Sequence, residues 1–75
     1  MENARLAQRI RAFRKLKGYT QTAFAETLGI SVSILGAIER GTRRPDARLL
    51  KQISEALFID ETELVGNEGD GKETY

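Results

Sequence analysis

The chain contains no cysteine and no histidine among its 75 residues. This absence excludes disulfide bonds, thiolate nucleophiles and the usual ligands of zinc. No apolar run approaches the roughly 20 residues that span a bilayer, and the first ten residues hold no apolar stretch of the kind that directs secretion. We therefore expect a cytoplasmic protein that binds no membrane, no metal ion and no other cofactor.

Positive and negative charges are unevenly distributed along the chain, although the net charge is only +1. Residues 1–51 contain eleven lysines and arginines and four acids, a balance of +7, whereas residues 52–75 contain one lysine and seven acids, a balance of −6. A basic half of this kind is the electrostatic footprint of a protein that binds a polyanion. A solvated surface of mixed charge explains the same counts, so charge alone does not decide between the two.

Apolar residues recur at the three- and four-residue spacing of amphipathic helices, and no stretch shows the alternation of a hairpin strand. A domain this small buries only roughly 60% of its unfolded surface, so efficient helix packing has to form the core. The predicted helices span residues 4–17, 21–28, 32–40, 47 to about 57, and a short segment from 61 to 65. The predicted fold class is therefore all-α, a compact bundle of five short helices.

Each predicted helix has a capping residue and an apolar stripe. We expect Asn3 and Asp46 to cap the first and fourth helices, and Asp60 with Glu63 to form a capping box at the fifth. The predicted core residues are Leu6, Ile10, Phe13, Phe24, Leu28, Ile30, Leu35, Ile38, Leu50, Ile53 and Leu57. We place the domain at residues 1–66 and expect residues 67–75 to be a flexible acidic tail or linker.

The predicted second and third helices are joined by three residues that carry both a stop and a start signal. Gly29 can adopt the left-handed conformation that ends a helix, and Ser31 can cap the next helix. Gly18 and Thr20 repeat the same pair of signals before the second helix. Two short helices joined in this way are the outline of a helix-turn-helix, so DNA binding is our first hypothesis.

Three segments, GYTQTAFAETLGIS, ILGAIERGTRRP and LLKQISEAL, resemble in their order and spacing the phage repressor and Cro family of helix-turn-helix domains, also called the xenobiotic-response-element family. The similarity extends from about Leu6 to Val65. It implies a lambda-repressor-like fold and a bacterial or phage-encoded regulator of transcription, most often a repressor. In that family the second helix of the motif lies in the major groove of double-stranded DNA, and the proteins usually bind paired half-sites as homodimers.

The resemblance also implies which residues contact DNA. Gln21 stands where the family has a glutamine that contacts the DNA backbone, and residues 32–40 form the recognition helix. The family places its contacts to the DNA backbone at the end of that helix and after it, where this chain has Arg40, Thr42, Arg43 and Arg44. Guanidinium groups suit phosphate because they offer several donors in a rigid fork. For Thr20 helix capping is an equally good explanation, and for the arginines a solvated basic loop is the alternative. The full predicted set is Thr20, Gln21, Ser31, Val32, Ser33, Gly36, Ala37, Arg40, Thr42, Arg43 and Arg44.

Two further residues match the family in a structural role. Arg14 and Glu39 stand where the family joins the first helix to the end of the third by an internal salt bridge. We therefore expect these two residues to stabilise the fold and not to contact DNA.

The predicted recognition helix departs from the family pattern, because its base-reading positions carry no amide and no cation. Val32, Ser33, Gly36 and Ala37 hold those positions, and we expect Ser33, Gly36, Ala37 and Arg40 to face outward. Serine discriminates weakly among bases, and apolar side chains sense only a thymine methyl group. Either a smooth helix face lies deep in the groove, with specificity from DNA shape and flanking arginines, or the domain reads sequence poorly.

Phe58 is another departure, since the family often has glycine or a small polar residue after the fourth helix. A β-carbon disfavours the left-handed cap, so we expect this helix to end differently. Core packing is the favoured place for Phe58, and exposure near the family's dimer contacts is the alternative.

Two other classes of function remain to be weighed. The small side chains of Val32, Gly36 and Ala37 motivate a protein interaction module of the antitoxin or anti-repressor kind. An enzyme is not expected, because none of the eleven carboxylates is paired in a recognisable pocket and exposed helical charge explains them. Five short helices also rarely enclose a substrate cleft, so no small-molecule substrate is implied.

Overall fold

The computed structural model describes residues 2–65, and all five predicted helices are present there. They are α1 (Glu2–Leu16), α2 (Gln21–Leu28), α3 (Val32–Arg40), α4 (Ala47–Leu57) and α5 (Glu61–Val65). No strand occurs in the described residues, and the prediction of an all-α bundle is confirmed. Gly66 and the predicted tail at 67–75 lie outside the described residues, so the predicted domain boundary remains a prediction.

The predicted bounds of α1 are slightly wrong. The helix begins at Glu2, so Asn3 is its second residue and not its cap, and it ends at Leu16, one residue earlier than predicted. The apolar stripe that starts at Leu6 identifies the core-facing side of a helix. It does not identify the first turn, because residues before the stripe need not pack on anything.

Helices α1 to α4 all end in the same hydrogen-bonded turn. A residue in the left-handed region follows each helix, and the next N–H bonds a carbonyl five residues earlier, as from Ile30 to Ala25 and from Ile59 to Ser54, both at 3.0 Å. The left-handed residues are Gly18, Gly29, Gly41 and Phe58, with φ of 88°, 74°, 83° and 59°. Glycine adopts this conformation without the steric penalty that a β-carbon brings.

The predicted different ending of α4 and the favoured core packing of Phe58 are both wrong, whereas the alternative of an exposed Phe58 holds. α4 ends in the same left-handed cap as the helices before it, and the Phe58 side chain is 83% exposed. The turn itself explains the exposure, because the residue after the left-handed position is the one that packs back on the helix. In this chain that residue is Ile59, which packs against the core.

One apolar core joins all five helices. Its fully buried large side chains are Ile10, Phe24, Leu35, Ile38, Ile53, Leu57 and Leu64. Phe24 also packs on the ring of Tyr19 at a centroid distance of 4.9 Å. Each such side chain contributes about 1.5–3 kcal/mol by leaving water. The core prediction holds for the stripes of α1 to α4, and it omitted Leu64, through which α5 enters the core.

α5 is short, and its first turn carries part of the predicted capping box. The Glu63 carboxylate accepts a hydrogen bond from the Asp60 N–H at 3.4 Å. The helix packs against α1 and α4. Leu64 of α5 is fully buried, so this short helix contributes to the core at that contact.

α2 and α3 cross at 108° and are joined by residues 29–31 alone. A steep crossing and a turn of three residues are the geometry of a helix-turn-helix. No single helix in the described part of the chain is long and apolar enough to cross a membrane; α2 and α3 reach that length and composition only together, with the bend between them.

Candidate nucleic-acid interface

α3 buries one face in the core and presents another to solvent. Leu35 and Ile38 are buried against the other helices, whereas Val32, Ser33 and Arg40 are exposed. Ala37 is half-buried between these two faces. The structure therefore places most of the predicted base-reading residues on one accessible surface of the predicted recognition helix.

Hydroxyl side chains fix the starts of both helices of the motif. Thr20 Oγ1 accepts from the Ala23 N–H at 3.0 Å, and Ser31 Oγ accepts from the Ile34 N–H at 3.0 Å. Both residues have the extended backbone of an N-cap and are exposed. Each hydroxyl accepts through a lone pair and keeps its own proton to donate, so capping does not prevent a contact with a phosphate oxygen.

A buried salt bridge holds the end of α3 against α1. Arg14 Nε lies 2.6 Å from Glu39 Oε2, and Arg14 Nη2 lies 3.1 Å from Glu39 Oε1, with side chains only 9% and 4% exposed. The remaining Arg14 nitrogen, Nη1, donates to the Tyr19 carbonyl at 2.9 Å. The predicted structural pair is confirmed. Its fork geometry fixes the orientation of α3 as well as its distance from α1.

Gln21 extends this joint to the start of α2. Its amide nitrogen donates to Glu39 Oε1 at 3.1 Å, so the Glu39 carboxylate ties three helices together. Gln21 is the first residue of α2, where backbone N–H groups have no partner within the helix and favour an anion. The Gln21 amide has a second N–H besides the one donated to Glu39, so this hydrogen bond does not use all of its donors.

Gly36 is buried, so the prediction that it faces outward is wrong. Arg40, four residues later, folds back along α3 over the glycine, and Gln21 of α2 lies beside it. A β-carbon at position 36 would lie 3.1 Å from Arg40 Nη1 and 4.0 Å from Gln21 Nε2. The surface above Gly36 is therefore not bare helix backbone, as the smooth-face hypothesis requires, but a guanidinium group.

An open, basic depression of about 430 Å³ lies where α1, α2 and α3 meet. Its lining residues are Arg11, Arg14, Gln21, Gly36, Glu39 and Arg40. With three arginines against one glutamate, the depression carries a net positive charge. Arg11 was not among the predicted site residues, although its position one turn before Arg14 on α1 was a signal that it shares that face.

The loop after α3 carries the remaining predicted residues. Arg43 and Arg44 are exposed there, directly after the α3 cap. Thr42 donates from its hydroxyl to the Ala37 carbonyl at 3.2 Å, and its N–H bonds the same carbonyl at 3.0 Å. Both Thr42 donors are thus directed at α3, and a phosphate contact at this residue requires the hydroxyl to rotate.

The two helices cross steeply, a hydroxyl side chain caps the start of each, and one face of the second helix is exposed beside a cluster of arginines. These features together define the class of helix-turn-helix DNA-binding proteins. The chain belongs to the helix-turn-helix family HTH_3, whose model matches residues 10–64. The predicted family, fold and DNA-binding regulatory function are confirmed.

The relatives in this family are regulators by name. The chain is 58% identical over 64 residues to the uncharacterized HTH-type transcriptional regulator YazB of Bacillus subtilis, covering 85% of this chain and 93% of that protein. It is 38% identical over 63 residues to the immunity repressor protein of Bacillus phage phi105, covering 84% of this chain and 44% of the repressor.

A solved structure supports the same fold. The clp gene regulator ClgR of Corynebacterium glutamicum superimposes with a TM-score of 0.83 at 28% sequence identity, covering 87% of this chain and 69% of that one. Among the relatives by sequence, the chain covers 93% of YazB and 44% of the phi105 immunity repressor.

Proposed function

We propose that the chain is a sequence-specific repressor that inserts α3 into the major groove of double-stranded DNA and occupies an operator without any catalytic step. The observation that carries the proposal is the exposed face of α3, held at one end by the Arg14–Glu39 joint and surrounded by arginines. Repression is supported by the similarity to a phage immunity repressor. Such a protein acts in the cytoplasm of a bacterium, where the DNA lies.

The proposed contacts divide between phosphate and base. Gln21 and the first N–H groups of α2 lie beside the basic depression and would bind one phosphate, with Thr20 donating from its hydroxyl. Arg43 and Arg44 would bind the backbone on the other side of α3. Val32, Ser33 and Ala37 would meet the base edges, where apolar groups and one hydroxyl make only weak distinctions.

A negative charge on the exposed face of α3 tests this docking. Ser33→Glu adds an acid to the first turn of a helix, where it favours folding, so the variant should keep its melting temperature. In the groove the same carboxylate would meet the polyanion, and the affinity for a labelled pool of random duplexes should fall at least tenfold.

The matched control is Gln52→Glu, which adds the same charge to an exposed position on α4. We expect it to bind DNA like the unchanged protein, apart from the small effect of one added charge. Equal losses in both variants would contradict the docking of α3. Failure of the unchanged protein to prefer any duplex over random competitor would instead favour the protein interaction module.

We also propose that the chain binds DNA as a homodimer through the exposed face of α4 near Phe58. Phe58 is a bulky residue in the left-handed region and is 83% exposed, so within one chain it adds strain and little burial. A second copy would bury it. The face is also suited to a twofold pairing, because Lys51 and Glu55 lie one turn apart and would pair with their counterparts in an antiparallel arrangement.

Sedimentation over a range of concentrations tests the dimer. Phe58→Gly should weaken self-association, whereas Leu16→Ala, which removes a side chain that is 75% exposed at the end of α1, should not. A monomer at every concentration, with and without DNA, would contradict the proposed dimer and leave the DNA-binding proposal standing.

A further inference from the structure

The predicted base-reading positions of α3 carry no cation, but the structure brings one to them. Arg40 Nη1 lies within 3.1 Å of the point where the β-carbon of residue 36 would be. Residues 33, 36, 37 and 40 lie on one face of α3, since they are three or four positions apart. The Arg40 guanidinium therefore lies over residue 36 of that face, on the side of Gln21, although Arg40 itself is the last residue of the helix.

Gly36 leaves room for this position of Arg40. Long side chains on a helix lean towards its N-terminus and cover the preceding turn, and here the preceding turn has no side chain. A β-carbon at 3.1 Å from Arg40 Nη1 would be closer than an ordinary van der Waals contact, so the guanidinium would have to shift by a few tenths of an ångström. Glycine inside a helix is unfavourable, by roughly 0.5–1 kcal/mol relative to alanine, so its presence in α3 lowers stability.

We propose that Arg40, laid across Gly36, is the base-specific contact of α3 and reads a guanine in the major groove. Among the exposed side chains of that face, only Arg40 has two parallel N–H donors, which match the O6 and N7 acceptors of guanine. Gly36 is a positioning residue that acts through Arg40. Arg40 can read a base only if α3 docks in the groove, so the inference rests on the function proposed above.

Arg40→Lys separates base readout from phosphate binding, because lysine keeps the charge and loses the fork. The measurement is selection of bound duplexes from a random pool, followed by competition titrations with single-base variants of the selected site. We expect Arg40→Lys to lower the preference for guanine at one base pair by about 5- to 140-fold, with the slope of log affinity against log salt unchanged. The matched control, Arg5→Lys at an exposed position of α1, should retain every base preference.

Gly36→Ala tests the positioning role. The variant should melt at a higher temperature, because alanine favours the helix, and should lose preference at the same base pair as Arg40→Lys. The double variant Gly36→Ala with Arg40→Lys should lose no more than Arg40→Lys alone, since both changes act on one contact. Independent, additive losses would overturn the role given to Gly36.

The possible failures are distinguishable. If the unchanged protein selects no motif, the proposed function itself is wrong. If it selects a motif and Arg40→Lys retains every position of it, only the base-reading role of Arg40 is overturned. A motif retained in Arg40→Lys, together with a smaller salt slope in Arg40→Ala, would assign Arg40 to phosphate.

Discussion

Glu39 is the residue on which the joint between α1, α2 and α3 depends. Its carboxylate accepts hydrogen bonds from Arg14 and Gln21, and its side chain is 4% exposed. Glu39→Ala would leave the Arg14 guanidinium buried without its counterion. Breaking such a pair costs about 3–5 kcal/mol, so we expect a loss of that size in urea or thermal unfolding, enough to leave a domain this small largely unfolded.

The control for Glu39 is Glu26→Ala, which removes an exposed carboxylate from α2. Its stability should change by no more than about 0.5 kcal/mol, as at most surface positions. Similar melting of the Glu39→Ala variant and the unchanged protein would show that the salt bridge does not stabilise the fold.

Phe58 should lower the folding stability of the isolated monomer. A left-handed backbone costs a residue with a β-carbon roughly 1–2 kcal/mol, and a side chain 83% exposed gains little from burial. We expect Phe58→Gly to raise the melting temperature at concentrations too low for self-association. Phe58→Asn, which tolerates the same conformation, should raise it less. A lower melting temperature in both would mean that Phe58 packs more than its exposure indicates.

Single residues differ in how far the sequence predicted them. The Arg14–Glu39 pair was predictable from the family resemblance, because both partners stand in motifs with fixed spacing. The burial of Gly36 was not, since it depends on the rotamer that Arg40 adopts. The left-handed backbone of Phe58 was not predictable either, because phenylalanine disfavours that conformation. It is the packing of Ile59 on the core that requires a left-handed residue at position 58.

At the scale of elements, the cap of α2 has a measurable effect on stability. Thr20→Ala removes the oxygen that accepts from the Ala23 N–H at 3.0 Å. Loss of such a cap costs about 1 kcal/mol, which urea unfolding detects. Thr20→Ser should retain the cap, and Thr22→Ala, at an exposed position inside the helix, should not destabilise the protein. Equal stability of Thr20→Ala and Thr20→Ser would contradict the capping role.

Most of the helix bounds could be predicted from local sequence signals. Gly29 and Ser31 predicted the bounds of α2 and α3 correctly because a left-handed glycine and a hydroxyl cap each act on one or two neighbouring peptide groups. The first turn of α1 was missed because Asn3, which has the side chain of a common cap, lies inside the helix. The crossing of α2 and α3 at 108° was predictable only through the resemblance, since it depends on side chains distant in sequence.

At the scale of the whole molecule, the basic half of the chain should make the affinity for DNA strongly dependent on salt. Removal of one phosphate contact lowers the slope of log affinity against log salt by about one unit, whatever the DNA sequence. We expect this change for Arg43→Ala. Arg5→Ala, nine residues before Arg14 on α1 and so about 14 Å along the helix, should leave the slope nearly unchanged. Equal slopes for both variants would show that net charge, and not a contact at Arg43, governs binding.

The most direct test of the central claim, that α3 reads DNA in the major groove, is selection of bound duplexes from a random pool by the unchanged protein. A dimer of helix-turn-helix domains should enrich an inverted repeat with half-site centres about 34 Å, or one turn of DNA, apart. A bound pool with the same sequence composition as the input, at a salt concentration where the protein still binds, would contradict the claim.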